Sequence, residues 1–142
     1  MESILVSACL LGTPCRYDGK SKANPDVLAL SGSYNLIPVC PEVAGGLPTP
    51  RVPSERIGDK VMMRDGRDVT DNYRSGAQEA LRLCRLHNIK IAILKERSPS
   101  CGKGEIYDGS FSGVLTARDG VTAELLTKEG IRVIGESEIN IL

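Results

Sequence analysis

The chain has 142 residues, 41% hydrophobic and only 4% aromatic with no Trp, enough for one modest aliphatic core. Its 18 basic residues balance 18 acidic ones, which excludes the positive face of a general nucleic-acid binder but not a pocket for one nucleobase. No stretch approaches the roughly 18 consecutive apolar residues of a membrane span; the apolar start MESILVSACLLG lacks a basic leader and stops at Gly12-Thr13-Pro14, so it reads as a strand and the expected location is the cytoplasm.

SILVSA is short, apolar and partly β-branched, as a buried strand is, and CLLGTPCRYDGKSK supplies the breakers of a loop. NPDVLAL has the form of a helix start, with Asn24 as cap and Pro25 at the first helical position, and SGS ends it. YNLIPVC is a second strand candidate, which Pro38 either weakens or places near a sheet edge. The Pro- and Gly-rich PEVAGGLPTPRVPSERIGD is too long for an idle connection. DKVMMRDGRDVT predicts two extended pieces around Asp65-Gly66, a hairpin.

DNYRSGAQEALRLCRLHN is the clearest helix. Tyr73, Ala77, Ala80, Leu81 and Cys84 share one face, and Asn88 is its stop. IKIAILKE is the third strand, EIYDGSFSGVLT a second hairpin, and DGVTAELLTKEG a helix with Asp119 as cap and Gly130 beyond its end. IRVIG is the last strand. This alternation predicts an α/β fold, one domain over 1–142, with a mainly parallel central sheet flanked by helices in Rossmann-like layers and small hairpin insertions.

Five cysteines are many for a reducing compartment, and the odd count argues against a simple disulfide framework. Cys9, Cys40 and Cys101 each follow a predicted strand, so a parallel sheet brings all three to one edge, where open α/β sheets bind ligands. Three soft donors suit zinc or an iron–sulfur cluster, although the paired C-x-x-C of structural zinc is absent. The bland alternative is three small buried hydrophobes at strand ends. Cys84 belongs to the core, because helical period already explains it. Cys15 stays open as a fourth ligand, a resolving thiol or a bystander, and His87 at a helix end is not read as a ligand.

Three motifs, SACLLGTPCRYDG, VCPEVAGGLPTPR and LKERSPSCG, occur in this order and together resemble the thiouracil desulfurase family, formerly a domain-of-unknown-function family. The resemblance implies a [4Fe-4S] cluster held by Cys9, Cys40 and Cys101, with one iron open to substrate as a Lewis acid. It implies Glu42 as the catalytic carboxylate and Ser98 as the catalytic serine; Ser100 is read as a cofactor-binding residue and as the rival to Ser98. The expected reaction is non-redox replacement of the sulfur of a thiolated pyrimidine by oxygen, with sulfide released.

Beside these roles stand plainer ones. Glu42 suits a backbone cap and Ser98 a turn before Pro99. Gly45 and Gly46 allow close approach to a ligand or cluster, or are ordinary turn glycines. Arg16 and Arg51 offset thiolate charge, or are solvated loop residues. The competing functions are a zinc-binding module and a thiol redox protein using Cys9 with Cys15.

Overall fold

A computed structural model describes residues 1–142. Four parallel strands form the central sheet: β1 (Ser3–Ser7), β2 (Asn35–Val39), β5 (Ile91–Leu94) and β8 (Arg132–Gly135), in the order β2-β1-β5-β8. Around it are helices α1 (Pro25–Ala29), α2 (Pro41–Ala44), α3 (Thr70–Leu86) and α4 (Val121–Lys128). Two antiparallel hairpins complete the fold, β3 (Ser54–Ile57) with β4 (Lys60–Met63) and β6 (Ile106–Tyr107) with β7 (Leu115–Thr116). This is the expected α/β architecture. No helix is long and apolar enough to cross a membrane.

Alternation along the strands makes the layers. Leu5, Ala92, Leu94 and Val133 pack with Ala80, Leu81 and Cys84 of α3 and Ala123 and Leu126 of α4. Ile4, Val6, Ile93 and Ile134 face the other way, onto Val27 of α1 and Cys9, Leu10 and Cys15. Both sheet faces are covered, so the strands read as nearly continuous apolar runs. Pro38 sits in β2, which is an edge strand, where its missing N–H leaves no ladder position empty on the inner side.

The helix signals hold with one exception. The Asn24 side chain accepts from the N–H groups of Asp26 and Val27, capping α1. Asn88, at φ 53, stops the chain just past α3. Asp119 does not cap α4. Its carboxylate takes the Gly104 N–H (2.7 Å) and the Lys103 ammonium (3.1 Å), and Gly120 occupies the cap position. Only glycine fits there, because a Cβ would lie 2.6 Å from the Ser100 carbonyl carbon.

The first hairpin also differs from expectation. Its longer ladder pairs β3 with β4 across Gly58-Asp59, while Asp65-Gly66 only folds Asp68 back to one bridge with Met62. Prolines 48, 50 and 53 give the stretch before β3 the look of an irregular connection and hide the strand.

α2 lies unusually close to α3. A Cβ on Gly76 would meet the Pro41 carbonyl oxygen at 1.8 Å, and one on Gly45 would meet the Asn72 carbonyl oxygen at 2.0 Å. Gly76→Ala therefore forces α2 outward, with a stability loss of about 1–3 kcal/mol. Thermal denaturation should show a lower Tm than wild type; an unchanged Tm would mean that the helices have slack.

Candidate active site

The register aligns the carboxyl ends of the strands, with Ser7 opposite Val39 and Val6 opposite Ile93. The chain leaves β1 toward β2 and leaves β5 toward β8, in opposite directions, which makes the gap beyond β1 and β5 a topological switch point. Cys9 lies in the 3-10 turn Ala8–Leu11 after β1, Cys40 is the N-cap of α2 after β2, and Cys101 lies in the loop after β5. All three line one cavity of about 870 Å³, together with Cys15, Glu42, Ser98 and Ser100.

The Cys101 loop is held by the helix that follows it. The N–H groups of Val121, Thr122 and Ala123, which have no partner inside α4, donate to the carbonyls of Pro99 and Ser100 at 2.8–3.2 Å. Gly120 donates to the Gly102 carbonyl at 2.7 Å. Inside the loop, Ser98 Oγ accepts from the N–H groups of Ser100 (3.2 Å) and Cys101 (3.1 Å). Ser7 Oγ accepts the Lys95 N–H at 2.8 Å and so ties the ends of β1 and β5 together.

Glu42, with its side chain 15% exposed, is bonded from three sides. Tyr73 donates its hydroxyl to Oε1 (2.8 Å), and Arg51 donates Nε to the same oxygen (3.1 Å). Ser100 donates Oγ to Oε2 at 3.2 Å. A serine hydroxyl has one proton, so Ser100 then accepts from Ser98 Oγ, 3.0 Å away. Ser98, Ser100 and Glu42 thus form a chain, with Ser100 touching the carboxylate and Ser98 one hydroxyl behind. Ser100 Oγ is also 3.4 Å from Cys101 Sγ.

Arg51 also organises the cysteine loops. Its Nη2 reaches the Cys15 carbonyl (2.9 Å), and its Nη1 reaches the Pro48 carbonyl and Thr49 hydroxyl (3.1 Å each). The Cys15 thiol contacts both Cys40 and Cys9. The Cys40 contact favours its ionised form, but the Cys9 thiol and burial outweigh this and raise it. Bonding to Cys15, then burial, pushes the Cys40 thiol far above its ordinary range. Burial pushes Cys101 up to about 12 and Cys84 up to about 11. Tyr73 is raised by burial first and by the Glu42 charge second.

Such thiols are held neutral until a cation replaces their protons. The donor set fits an iron–sulfur cluster better than a single ion. No three Cys, His, Asp or Glu side chains stand at single-ion spacing, whereas thiolates on different corners of a cluster stand further apart. Sulfur donors are soft enough for either group, so spacing is what separates them.

Gly45 and Gly46 do not line the cavity. Gly45 packs on α3 and its carbonyl accepts from Asn72 Nδ2 (2.9 Å), and Gly46, at φ 94, makes the turn after α2. Their expected contact with a cluster gives way to close helix packing. Arg16 lines the cavity mouth beside the Tyr17 ring. Tyr73 escapes sequence reasoning, because its ring continues the apolar stripe of α3 and nothing in that pattern reveals its hydroxyl.

An α/β switch-point cavity with four thiols and a carboxylate held by three donors defines a cysteine-rich metal-dependent enzyme site. The comparisons agree with that class. The family model for 2-thiouracil desulfurase matches residues 4–138, and the chain belongs to this family. It is 44% identical over 147 residues to the uncharacterized protein YbbK of Bacillus subtilis (strain 168), covering 96% of this chain and 97% of that one. It also resembles the solved structure of the [4Fe-4S]-dependent thiouracil desulfidase TudS, with TM-score 0.95 and 50% identity over 100% of this chain and 95% of that chain.

The raised thiols predict a pH dependence. Below the ordinary thiol value of 9.0, Cys84 and Cys101 are protonated in both folded and unfolded chains. Above it the unfolded chain loses these protons first, so stability falls as pH rises from 9.0 toward about 11 for Cys84 and about 12 for Cys101. The Tm of cluster-free, fully reduced protein should fall across this window, and less steeply in Cys84→Ala. A slope unchanged by that substitution would refute the assignment.

Proposed function

We propose that the whole chain acts as one unit, in the cytoplasm, to replace the sulfur of a thiolated pyrimidine of the thiouracil type with oxygen. Cys9, Cys40 and Cys101 hold a [4Fe-4S] cluster. When bound, the cluster supplies a Lewis-acidic iron without a protein thiolate, suited to the departing sulfur. The reaction takes in water and gives out hydrogen sulfide, with no net electron transfer. The observation that carries the reading is the carboxylate of Glu42, set in the same cavity as the three thiols and surrounded by donors.

All three neighbours of Glu42 donate, so the carboxylate is an acceptor, the role of a general base. Its Oε1 is committed to Tyr73 and Arg51. Oε2 has only Ser100, and is the oxygen free to take a proton from water attacking the thiocarbonyl carbon. The hydroxyl chain from Ser98 through Ser100 points its protons at Oε2 and so holds that oxygen in place.

Anaerobic reconstitution tests the reading. The protein should take up iron and sulfide, absorb in the visible and release sulfide from 2-thiouracil. Cys9→Ser, Cys40→Ser and Cys101→Ser should each lose the colour, and Cys84→Ser should keep it. Glu42→Gln should keep it and lower kcat by about 100- to 10,000-fold. A colourless wild type, or a coloured one that releases no sulfide, sinks the proposal.

The two serines separate by a different pair of measurements. Ser100→Ala removes a donor to Glu42 and should lower kcat at least about tenfold with iron content intact. Ser98→Ala frees two backbone N–H groups of the Cys101 loop and should lower Tm and iron retention. The reverse pattern would exchange their roles.

A further inference from the structure

Phe111 is the chain's single Phe, and it lies outside the core clusters. It stands half-buried in the turn between β6 and β7 at φ 55. Left-handed backbone at a bulky residue costs energy and persists only where its surroundings impose it. Here Glu55 imposes it, its Oε1 accepting from the N–H groups of both Gly109 (3.0 Å) and Phe111 (3.1 Å). Gly109 seats the turn on β3, since a Cβ there would meet Ile57 Cγ1 at 2.3 Å. The Arg64 guanidinium lies over the Phe111 ring, 5.5 Å from its centroid. Glu55, Arg64 and Phe111 line the same cavity as the thiols and Glu42.

The fold therefore holds an aromatic ring in an unfavourable conformation, with two backbone bonds and a cation, where it lines the cavity. We propose that Phe111, backed by Arg64, is the stacking wall for the planar ring of the substrate. The identity of that ring rests on the desulfuration reading. A stacking wall senses the face of a ring and not its edge substituents. It therefore holds the thio substrate and the oxo product alike, and acts on binding rather than on the chemical step.

The test uses anaerobically reconstituted wild type, Phe111→Leu and Phe111→Gly. Turnover is measured with 2-thiouracil and binding with uracil, by calorimetry, beside iron content and Tm. In both variants KM for 2-thiouracil and Kd for uracil should rise together, roughly five- to hundredfold, with kcat and iron content unchanged. Phe111→Gly should not lower Tm, because glycine relieves the strain at φ 55. Values of KM and Kd within about twofold of wild type, or a loss of Tm and iron alongside weaker binding, overturn the inference. If wild type releases no sulfide yet binds uracil through Phe111, the desulfuration reading fails and the wall stands. If wild type binds neither pyrimidine, the wall falls.

Discussion

The ion pair between Arg51 and Glu42 is the contact on which the site depends. The Arg51 side chain is 3% exposed, and a guanidinium so far from water needs acceptors on every side. It has them in the Glu42 carboxylate, the Cys15 and Pro48 carbonyls and the Thr49 hydroxyl. One side chain thus binds the loop after β1 to the segment after β2. Truncating either partner would strand a buried charge, so neither loop moves independently of the other. The carboxylate is also held in one orientation by these donors, the kind of preorganisation that electrostatic catalysis draws on.

The third loop is fixed by a different device. β5 and α4 are separated by 26 residues, 95–120, a span that leaves ample room for wandering. The first turn of α4 removes that freedom, because its unpaired N–H groups find partners in Pro99 and Ser100, beside Cys101. The start of α4 and the placement of the Cys101 thiol therefore use the same hydrogen bonds. Gly120 and Gly102 are part of that solution: Gly120 passes tight against Ser100, and a Cβ on Gly102 would press on the Ser98 carbonyl oxygen at 2.9 Å. The loops meet where Ser100 bridges Glu42 and Cys101, so carboxylate, hydroxyls and thiols share one rigid edge.

Much of this edge was legible because it follows from period and punctuation. Strand ends followed by cysteine place Cys9, Cys40 and Cys101 together once the sheet is parallel, and the stripe of α3 accounts for Cys84. Pro38 marks an edge strand for the same local reason. What stayed hidden depends on contacts distant in sequence. Tyr73 meets Glu42 across 31 positions, and its aromatic ring satisfies the helical stripe whether or not the hydroxyl has a task. Asp119 looks like a cap in sequence but is drawn to Lys103 and Gly104 by tertiary packing. Gly45 and Gly46 follow a cysteine motif and read as ligand-facing, yet the space they leave belongs to α3. Family resemblance named a carboxylate and a serine, and the geometry adds that Ser100 is the hydroxyl in contact.

Composition takes on a second meaning in this light. The low aromatic content first says only that the core is aliphatic, and the core clusters are built largely of Val, Ile, Leu and Ala. Yet of the four tyrosines and one phenylalanine, Tyr17, Tyr107 and Phe111 line the thiol cavity, and Tyr73 holds the carboxylate within it. Only Tyr34 packs elsewhere, against the α1 side of the sheet. Packing does not require that distribution, since aliphatic side chains fill the sheet layers unaided. It suits the planar substrate proposed above, because flat rings and polar tips combine shape and hydrogen bonding at little conformational cost. All the aromatics but Tyr34 thus gather, from the loop after β1, from α3 and from the β6–β7 hairpin, around the cavity that the thiols after β1, β2 and β5 also line.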